Sequence, residues 1–273
     1  MKKTNLILLV AAGTVLASCG GSTITREQAS ENLAKSAKYV ESEEFTSPTK
    51  CTMTSTMSGS EEKGTIELAY DLDNTYLRSV INTTEEKNYA WVYADGDKYV
   101  SAVSTDGTTG TYAYIEKSGA EEMIKEYTSE LDLAELFKGL SESLSSAVET
   151  VESQEASAST SIPGYTIEKN EFKENYTSTG DGNLTMDISY EFKGTLELSA
   201  LGVTTKTTTS LSMTLTASID KYLPKSIKTS SSFSNGEGES AVSFNISSEE
   251  TFNWGTCDNS KPDLSKFTQR DAE

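Results

Sequence analysis

The sequence predicts an α+β fold in which a curved antiparallel β half-barrel is covered by an N-terminal helix and a central helical lid. Two stretches, 50–116 and 165–252, alternate apolar and polar residues, which is typical of strands with one buried face. Two others, 26–44 and 118–151, repeat apolar residues every three or four positions, which is typical of amphipathic helices. Because a sheet with one apolar face must be covered, we expect the helices to pack on it and enclose an apolar space.

The first 18 residues have the layout of a secretory signal peptide. Two lysines precede an apolar run, Leu6 to Leu16, that is too short to span a bilayer permanently. The following Ala17-Ser18-Cys19 resembles the lipobox of bacterial lipoproteins, in which a signal peptidase cuts before a cysteine that carries diacylglycerol. This resemblance implies that Cys19 is the lipid attachment site and 19–25 a lipidated tether. An ordinary secretory signal or an uncleaved anchor is the alternative.

Composition and charge restrict the class of function. The net charge is −19, and about −21 without the signal peptide, which holds two lysines and no acidic residue. Such a surface repels nucleic acid and anionic headgroups, so the membrane partner would be held through the lipid on Cys19. The absence of histidine removes the usual general base and the commonest zinc ligand. Phosphate-binding loops, nucleophile elbows and zinc motifs are absent too, so we expect no enzyme, no cofactor and no nucleic-acid partner.

Each predicted helix starts at a capping box. Thr25 and Gln28 open the first helix, whose apolar face consists of Ala29, Leu33, Ala37 and Val40. Ser118 and Glu121 open the second, in which Gly139 predicts a hinge. The Ser/Ala/Glu-rich stretch 152–162 loses the helical period and predicts a mobile loop.

About ten strands are expected in one domain spanning 26–257. The alternation is strictest in Leu184–Phe192 and Leu211–Ile219. Turn signals such as Asp95-Gly96 separate the strands and favour hairpins. The polar tail, 258–273, is expected to be extended or disordered.

Two segments resemble the lipoprotein-carrier superfamily of bacterial envelopes, the LolA/LolB/LppX-like half-barrels. Residues 219–227, with a Leu-Pro step after an acidic turn, are similar to a strand–turn–strand segment of that superfamily, and residues 89–100 to one of its hairpins. The order of helix, meander, helix and second meander over roughly 26–254 fits it as well. Members hold acyl chains between the sheet and the helices.

This resemblance implies a membrane-anchored extracytoplasmic lipoprotein that binds or carries a hydrophobic ligand such as lipid acyl chains. The side chains expected to touch the ligand lie on the apolar stripes: Tyr89, Trp91, Tyr127, Leu131, Phe137, Leu140, Met186, Ile188, Tyr190, Met213 and Leu215. The same stripes would equally form a packed core. The alternative function is a surface module for protein interaction or adhesion without a small-molecule ligand. The oligomeric state stays open.

Two further features each allow two interpretations. Cys51 and Cys257 either form a disulfide outside the cytoplasm or remain separate thiols. The acidic turns at 71–74 and 95–97 carry oxygen ligands of the kind that calcium prefers, but they lack the pattern of a calcium loop. Hairpin turns are therefore expected there, and no metal site.

Overall fold

The computed structural model describes residues 21–59, 63–129, 131–144, 164–180, 182–200, 203–236 and 241–271. The predicted signal peptide, Cys19 and the predicted mobile loop 152–162 lie outside these ranges.

An open sheet of thirteen strands forms the body of the described chain, and helices accompany it, which confirms the α+β class. Neighbouring strands are antiparallel except for the last pair. The strands are β1 (Ser22–Thr23), β2 (Lys50–Gly59), β3 (Lys63–Asp71), β4 (Tyr76–Thr83), β5 (Lys87–Asp95), β6 (Lys98–Ser104), β7 (Gly110–Ile115), β8 (Tyr165–Gly180), β9 (Asn183–Ala200), β10 (Val203–Asp220), β11 (Leu223–Asn235), β12 (Val242–Trp254) and β13 (Phe267–Gln269).

Two meanders combine into this one sheet. Strands β2–β7 form the first meander and β8–β12 the second, each built from hairpins between consecutive strands. β12 then pairs with β2, so the order is β1-β8-β9-β10-β11-β12-β2-β3-β4-β5-β6-β7-β13. The two short edge strands, β1 and β13, come from segments in which the sequence pattern predicts no strand. Residues 22–23 are thus paired with β8 rather than part of a free tether.

The sheet has two distinct faces because neighbouring side chains on a strand point to opposite sides. On what we call the helix face, Cys51, Tyr70, Leu77 and Val92 lie directly opposite one another on four successive strands. The residues between them belong to the back face. Helix-face side chains of the second meander are mainly apolar, with a few polar ones among them, whereas its back face is rich in serine, threonine and charged residues.

The first helix, α1 (Arg26–Val40), starts at the predicted capping box. The Thr25 hydroxyl accepts from the Gln28 N–H at 3.3 Å, and the Gln28 side chain accepts from the Thr25 N–H at 2.9 Å. The helix ends at Val40, so the predicted end at residue 44 is wrong. Residues 41–44 include three glutamates, whose charges are unfavourable at the negative end of a helix.

The central helix is two helices, α2 (Lys117–Ser129) and α3 (133–144). Asp132 ends the interruption: its carboxylate accepts from the Glu135 N–H at 3.0 Å and its carbonyl from the Leu136 N–H at 2.9 Å. This is an N-cap, which competes with continuing the helix from the previous turn. Gly139 lies within α3, so a hinge at that residue is wrong. Residues 145–151 lie outside the described ranges.

The helices cover the helix face in two adjoining cores. α1 and α3 pack on the second meander, where Leu33, Phe137 and Met186 are fully buried. α2 packs on the first meander through Ala120 and Ile124. Trp254 belongs to both cores, and its indole N–H donates to the Pro224 carbonyl at 2.6 Å. The packing of the helices on the sheet removes apolar surface from water, and this burial is the main contribution to the stability of the fold.

The C-terminal tail is folded against the back face of the first meander, so the expectation of an extended or disordered tail is wrong for 258–271. β13 pairs in parallel with β7, and Phe267 is buried against the edge of Trp91 at a centroid distance of 6.2 Å. The Tyr76 hydroxyl donates to the Ser260 carbonyl at 2.7 Å. The tail docks here because β5 is apolar on both faces, which is typical of strands that are buried on both sides. Its back face is therefore stabilised when the tail covers it.

Cys51 and Cys257 are free thiols in this fold. Cys51 is buried in the helix-face core under α2, whereas Cys257 packs against the back-face cluster that contains Tyr76. Burial raises the pKa of Cys51 to about 12 and that of Cys257 to about 11, so both remain protonated at neutral pH.

Removing the Phe267 ring is expected to destabilise the protein. Phe267→Ala leaves a cavity against Trp91 and should lower the free energy of unfolding by about 3 kcal/mol, measured by chemical denaturation of the full chain. Thr268→Ala, at the exposed neighbouring position, is the control and should stay within about 0.5 kcal/mol of the parent. Equal stability of the two variants would contradict a docked tail.

The free thiols predict a specific labelling pattern. In native protein, an aromatic disulfide reagent at mildly alkaline pH should react slowly with Cys51 and Cys257, because both thiols are partly or fully buried and protonated. In denaturant it should titrate both Cys51 and Cys257. If neither Cys51 nor Cys257 reacts in denaturant without a reducing agent, the two cysteines form a disulfide and the prediction is wrong.

Candidate functional site

A cavity of about 340 Å³ lies on the helix face of the second meander. It runs across five neighbouring strands, β8 to β12, and reaches Ser143 of α3. Four interstrand steps of about 4.8 Å give it a length of roughly 19 Å. Its lining is mainly apolar: Phe172, Ile188, Tyr190, Met213, Leu215, Thr229, Ser231 and Ile246, with contributions from Thr214 and Ser230.

The sheet register brings these side chains together. Met213 lies directly opposite Tyr190 on one side and Ser231 on the other, and Ser231 in turn lies opposite Ile246. Phe172 extends the same row onto β8, as the partner of Tyr190. Residues separated by about 70 positions in the chain thus form one continuous row because each strand alternates in phase with its neighbours.

Packed core bounds the cavity on one side. Two residues along their strands from the cavity, Met186 and Ala217 are buried beneath α3, where Phe137 and Leu140 fill the space. The apolar space predicted between the central helix and the sheet is therefore occupied by side chains at this level. It opens only near the last described turn of α3.

The predicted ligand-contact residues fall into three groups. Ile188, Tyr190, Met213 and Leu215 line the cavity. Phe137, Leu140 and Met186 belong to the adjoining core beneath α3. The remaining four lie over the first meander: Tyr127, Leu131, Tyr89 and Trp91.

Tyr89 and Trp91 are on the back face, away from the cavity. Trp91 lies directly opposite Arg78 and Ala102, whereas Val92 takes the helix-face position in β5. A strand that is apolar on both sides gives no sequence signal for which side faces the helices. Tyr127, on α2, is partly exposed and lines a separate depression with Tyr89 and Arg270.

Several cavity residues were missed by the sequence pattern. Phe172 stands in a strand whose neighbours are largely charged, and Ser231 in a serine run without apolar alternation. Ser231 belongs to the apolar cavity because its cross-strand partners, Met213 and Ile246, are apolar. No local pattern identifies such a residue, since the information lies in the register.

The rim of the cavity exposes apolar surface. Met213 is 46% exposed and Ile246 51%, and Phe244 stacks on Phe233 with centroids 5.5 Å apart while remaining 41% exposed. These side chains lie on the same face of β10, β11 and β12. Contiguous exposed apolar surface of this kind marks sites that bind ligands, proteins or membranes.

Polar groups border both ends of the cavity. At β8, the Arg26 guanidinium lies 5.6 Å from the centroid of the Phe172 ring and forms a 2.7 Å ion pair with Glu174. Asn170, two residues before Phe172, has a buried carboxamide oxygen that accepts no hydrogen bond from the residues that the structure describes. On β12, four residues beyond Ile246 and diagonal to the lining residue Thr229, burial raises the pKa of Glu250.

The acidic turn at 71–74 is a turn held by its own contacts. Burial raises the pKa of Asp71, but hydrogen bonds from Asn74 and Lys50 outweigh it, and the net shift is downward. Lys50 lies 3.0 Å from Asp71 and 3.6 Å from Asp73. Across the described ranges no group of three or more acidic, cysteine or histidine side chains is placed to hold a metal ion.

None of the helices in the described part of the chain has the length and hydropathy needed to cross a bilayer. Comparison with known proteins adds no identification: no protein-family model matches this chain, and no curated protein does.

Proposed function

We propose that this protein is a bacterial lipoprotein, anchored through Cys19 to the extracytoplasmic face of a membrane, that binds or carries a hydrophobic ligand such as a lipid acyl chain. The observation that carries the binding role is the apolar cavity of about 340 Å³ beside the packed core. Its volume lies at the lower end of the range of about 300–1,000 Å³ for small-molecule sites. It thus suits one chain or one small ligand.

The chemistry of the lining supports an apolar ligand with variable shape. Met213, Leu215 and Ile188 provide adaptable aliphatic walls, and Phe172 and Tyr190 add flat aromatic surface. Serine and threonine hydroxyls occupy the β11 side of the floor, where Thr229 donates to or accepts from Ser248 at 2.8 Å. A ligand here would gain mostly from burial of apolar area.

In this proposal the sheet acts as a half-barrel and the paired helices α2 and α3 as its lid. The interruption at 131–132, where Asp132 caps α3, is the natural hinge, because few backbone bonds join the two helices there. Movement of α3 away from the sheet would widen the cavity near Ser143.

Anchoring supports the same role. Only Gly20 and Gly21 separate Cys19 from β1, which is paired to β8 at Ser22 and Thr23. At about 3.5 Å per residue, the sheet edge would lie roughly 10 Å from the lipidated cysteine. A strongly acidic body would therefore stay beside the membrane without a basic patch.

The second candidate is an interaction module that binds another protein through the exposed side chains around Phe244 and Ile246. Those residues border the cavity rather than forming a patch elsewhere, which favours the ligand-binding role. If the protein bound a protein partner and no small ligand, substitutions that fill the cavity would not change binding of that partner.

Filling the cavity should abolish ligand capture. Ser231→Trp places an indole between Met213 and Ile246, whereas Ser232→Trp adds the same group on the back face as the control. Native mass spectrometry of the full chain, purified from its own membrane, should show one non-covalently bound hydrophobic molecule in the parent and in Ser232→Trp. Ser231→Trp should lose at least nine-tenths of that occupancy, roughly a tenfold change. Equal occupancy in all three proteins, or none in the parent, would overturn the proposal.

The anchor is tested separately. Cys19→Ala should abolish metabolic labelling of the protein by a fatty-acid analogue, because it removes the thiol that would carry the lipid. Cys257→Ala serves as the matched control and should stay labelled and membrane-bound. Labelling of the Cys19→Ala protein at the parent level would contradict anchoring through a lipid on Cys19.

A further inference from the structure

A carboxylate with no partner among the described residues lies next to the cavity lining. Glu250 lies on the helix face of β12, directly opposite Ile227 of β11. The next helix-face residue along β11 is Thr229, which lines the cavity, so Glu250 is a diagonal neighbour of a lining residue. No ion pair or hydrogen bond joins its carboxylate to another residue of the described chain. Burial raises the pKa of this group, which reflects how poorly the surroundings replace water.

A second unpaired acceptor borders the opposite end. Asn170 shares the helix face with Phe172, two residues away on β8, and lies opposite Phe192. Its side-chain oxygen is buried and, within the described residues, has no donor. A buried acceptor without a partner costs about 1–3 kcal/mol, so such a group is commonly satisfied by a ligand or by water.

The nearby cations are already neutralised. Arg26, next to Phe172, is paired with Glu174 at 2.7 Å, and Glu174 also accepts from the Tyr176 hydroxyl at 3.0 Å. Lys228 of β11 points to the back face, where it pairs with Glu249 at 3.4 Å. The polar borders of the cavity thus offer acceptors and one uncompensated negative charge.

We infer that the cavity selects single-chain amphiphiles whose head group donates hydrogen bonds, an ammonium or a hydroxyl, and discriminates against carboxylate and phosphate head groups. The alkyl chain would lie across Thr229, Leu215 and Ile188 toward Phe172, with the head group at Glu250, the diagonal neighbour of Thr229. An ammonium there forms a charge-assisted hydrogen bond in a partly desolvated site, whereas an anionic head would be repelled. This inference rests on the proposed function, whose ligand class it narrows.

A competition experiment tests the selectivity. Full-length protein in a non-ionic detergent is mixed with equimolar dodecylamine, 1-dodecanol and dodecanoate, at neutral pH and about 0.15 M salt to screen long-range attraction. Native mass spectrometry then reports the occupancy of each ligand in the same sample. In the parent, the amine should exceed the carboxylate at least tenfold. Glu250→Gln should reduce that ratio by about tenfold, the size expected for one charge-assisted hydrogen bond.

The control removes the same charge from the other face. Glu249→Gln removes one negative charge, as Glu250→Gln does, but alters only the exposed pair with Lys228, so the amine-to-carboxylate ratio should stay at the parent value. A ratio that falls equally in both variants would show general charge attraction and overturn the inference. Binding in which dodecanoate equals or exceeds dodecylamine would overturn it as well, while the proposed function would stand. Absence of binding by all three amphiphiles would refute both.

Discussion

The pairing of β12 with β2 is the constraint on which the rest of the structure depends. It joins strands about 190 residues apart through nine matched pairs, from Ile246–Gly59 to Trp254–Cys51. Without it the two meanders would be separate sheets, each with an apolar face and an extra unpaired edge. Trp254 stands at the joint and contributes to the cores on both sides. Because so distant a contact has a high loop-closure entropy, this ladder is expected to form late in folding.

A mismatch of lengths explains where the cavity lies. The strands of the second meander reach 18 residues, or about 60 Å. α1 has 15 residues, or about 22 Å, so it covers only part of such a strand. The helices fill the rows around Met186 and Ala217 with close packing. Beyond them, apolar side chains continue along the same strands, and the uncovered remainder forms the cavity and its exposed rim.

The sequence predicts local structure well here and long-range arrangement poorly. Period-two alternation identifies the strands, and the Thr25 capping box identifies the start of α1, because both depend on residues close together in the chain. The break at Asp132 also had a local signal, the Asp-x-x-Glu spacing to Glu135, which the strong apolar stripe on either side outweighs. Local patterns therefore identify the strands of both meanders and the start of α1, but not the end of α1, the break at Asp132 or the edge strands β1 and β13.

The docking of the C-terminal tail and the identity of the cavity residues depend on strand register, which local sequence patterns do not give. Leu264 and Phe267 are isolated apolar residues in a polar segment, and their docking follows from the bare back face around Trp91. Likewise, Tyr89 and Trp91 share a strand with Val92 but take the opposite face. Since a shift of one residue exchanges the faces, a residue list built on composition assigns such strands by chance.

The N-terminal strand β1 and the cavity are connected through β8. β1 pairs with β8 at Thr177 and Ser178, and the cavity residue Phe172 lies five positions along the same strand, about 17 Å away. In a protein anchored through Cys19, the strand that receives the tether would thus also form one end of the cavity. The distance from bilayer to cavity would be set by a rigid hydrogen-bonded ladder rather than by a flexible linker. A ligand leaving the membrane would then need to travel only a few tens of ångströms, and movement of α3 rather than of the whole body would control its entry.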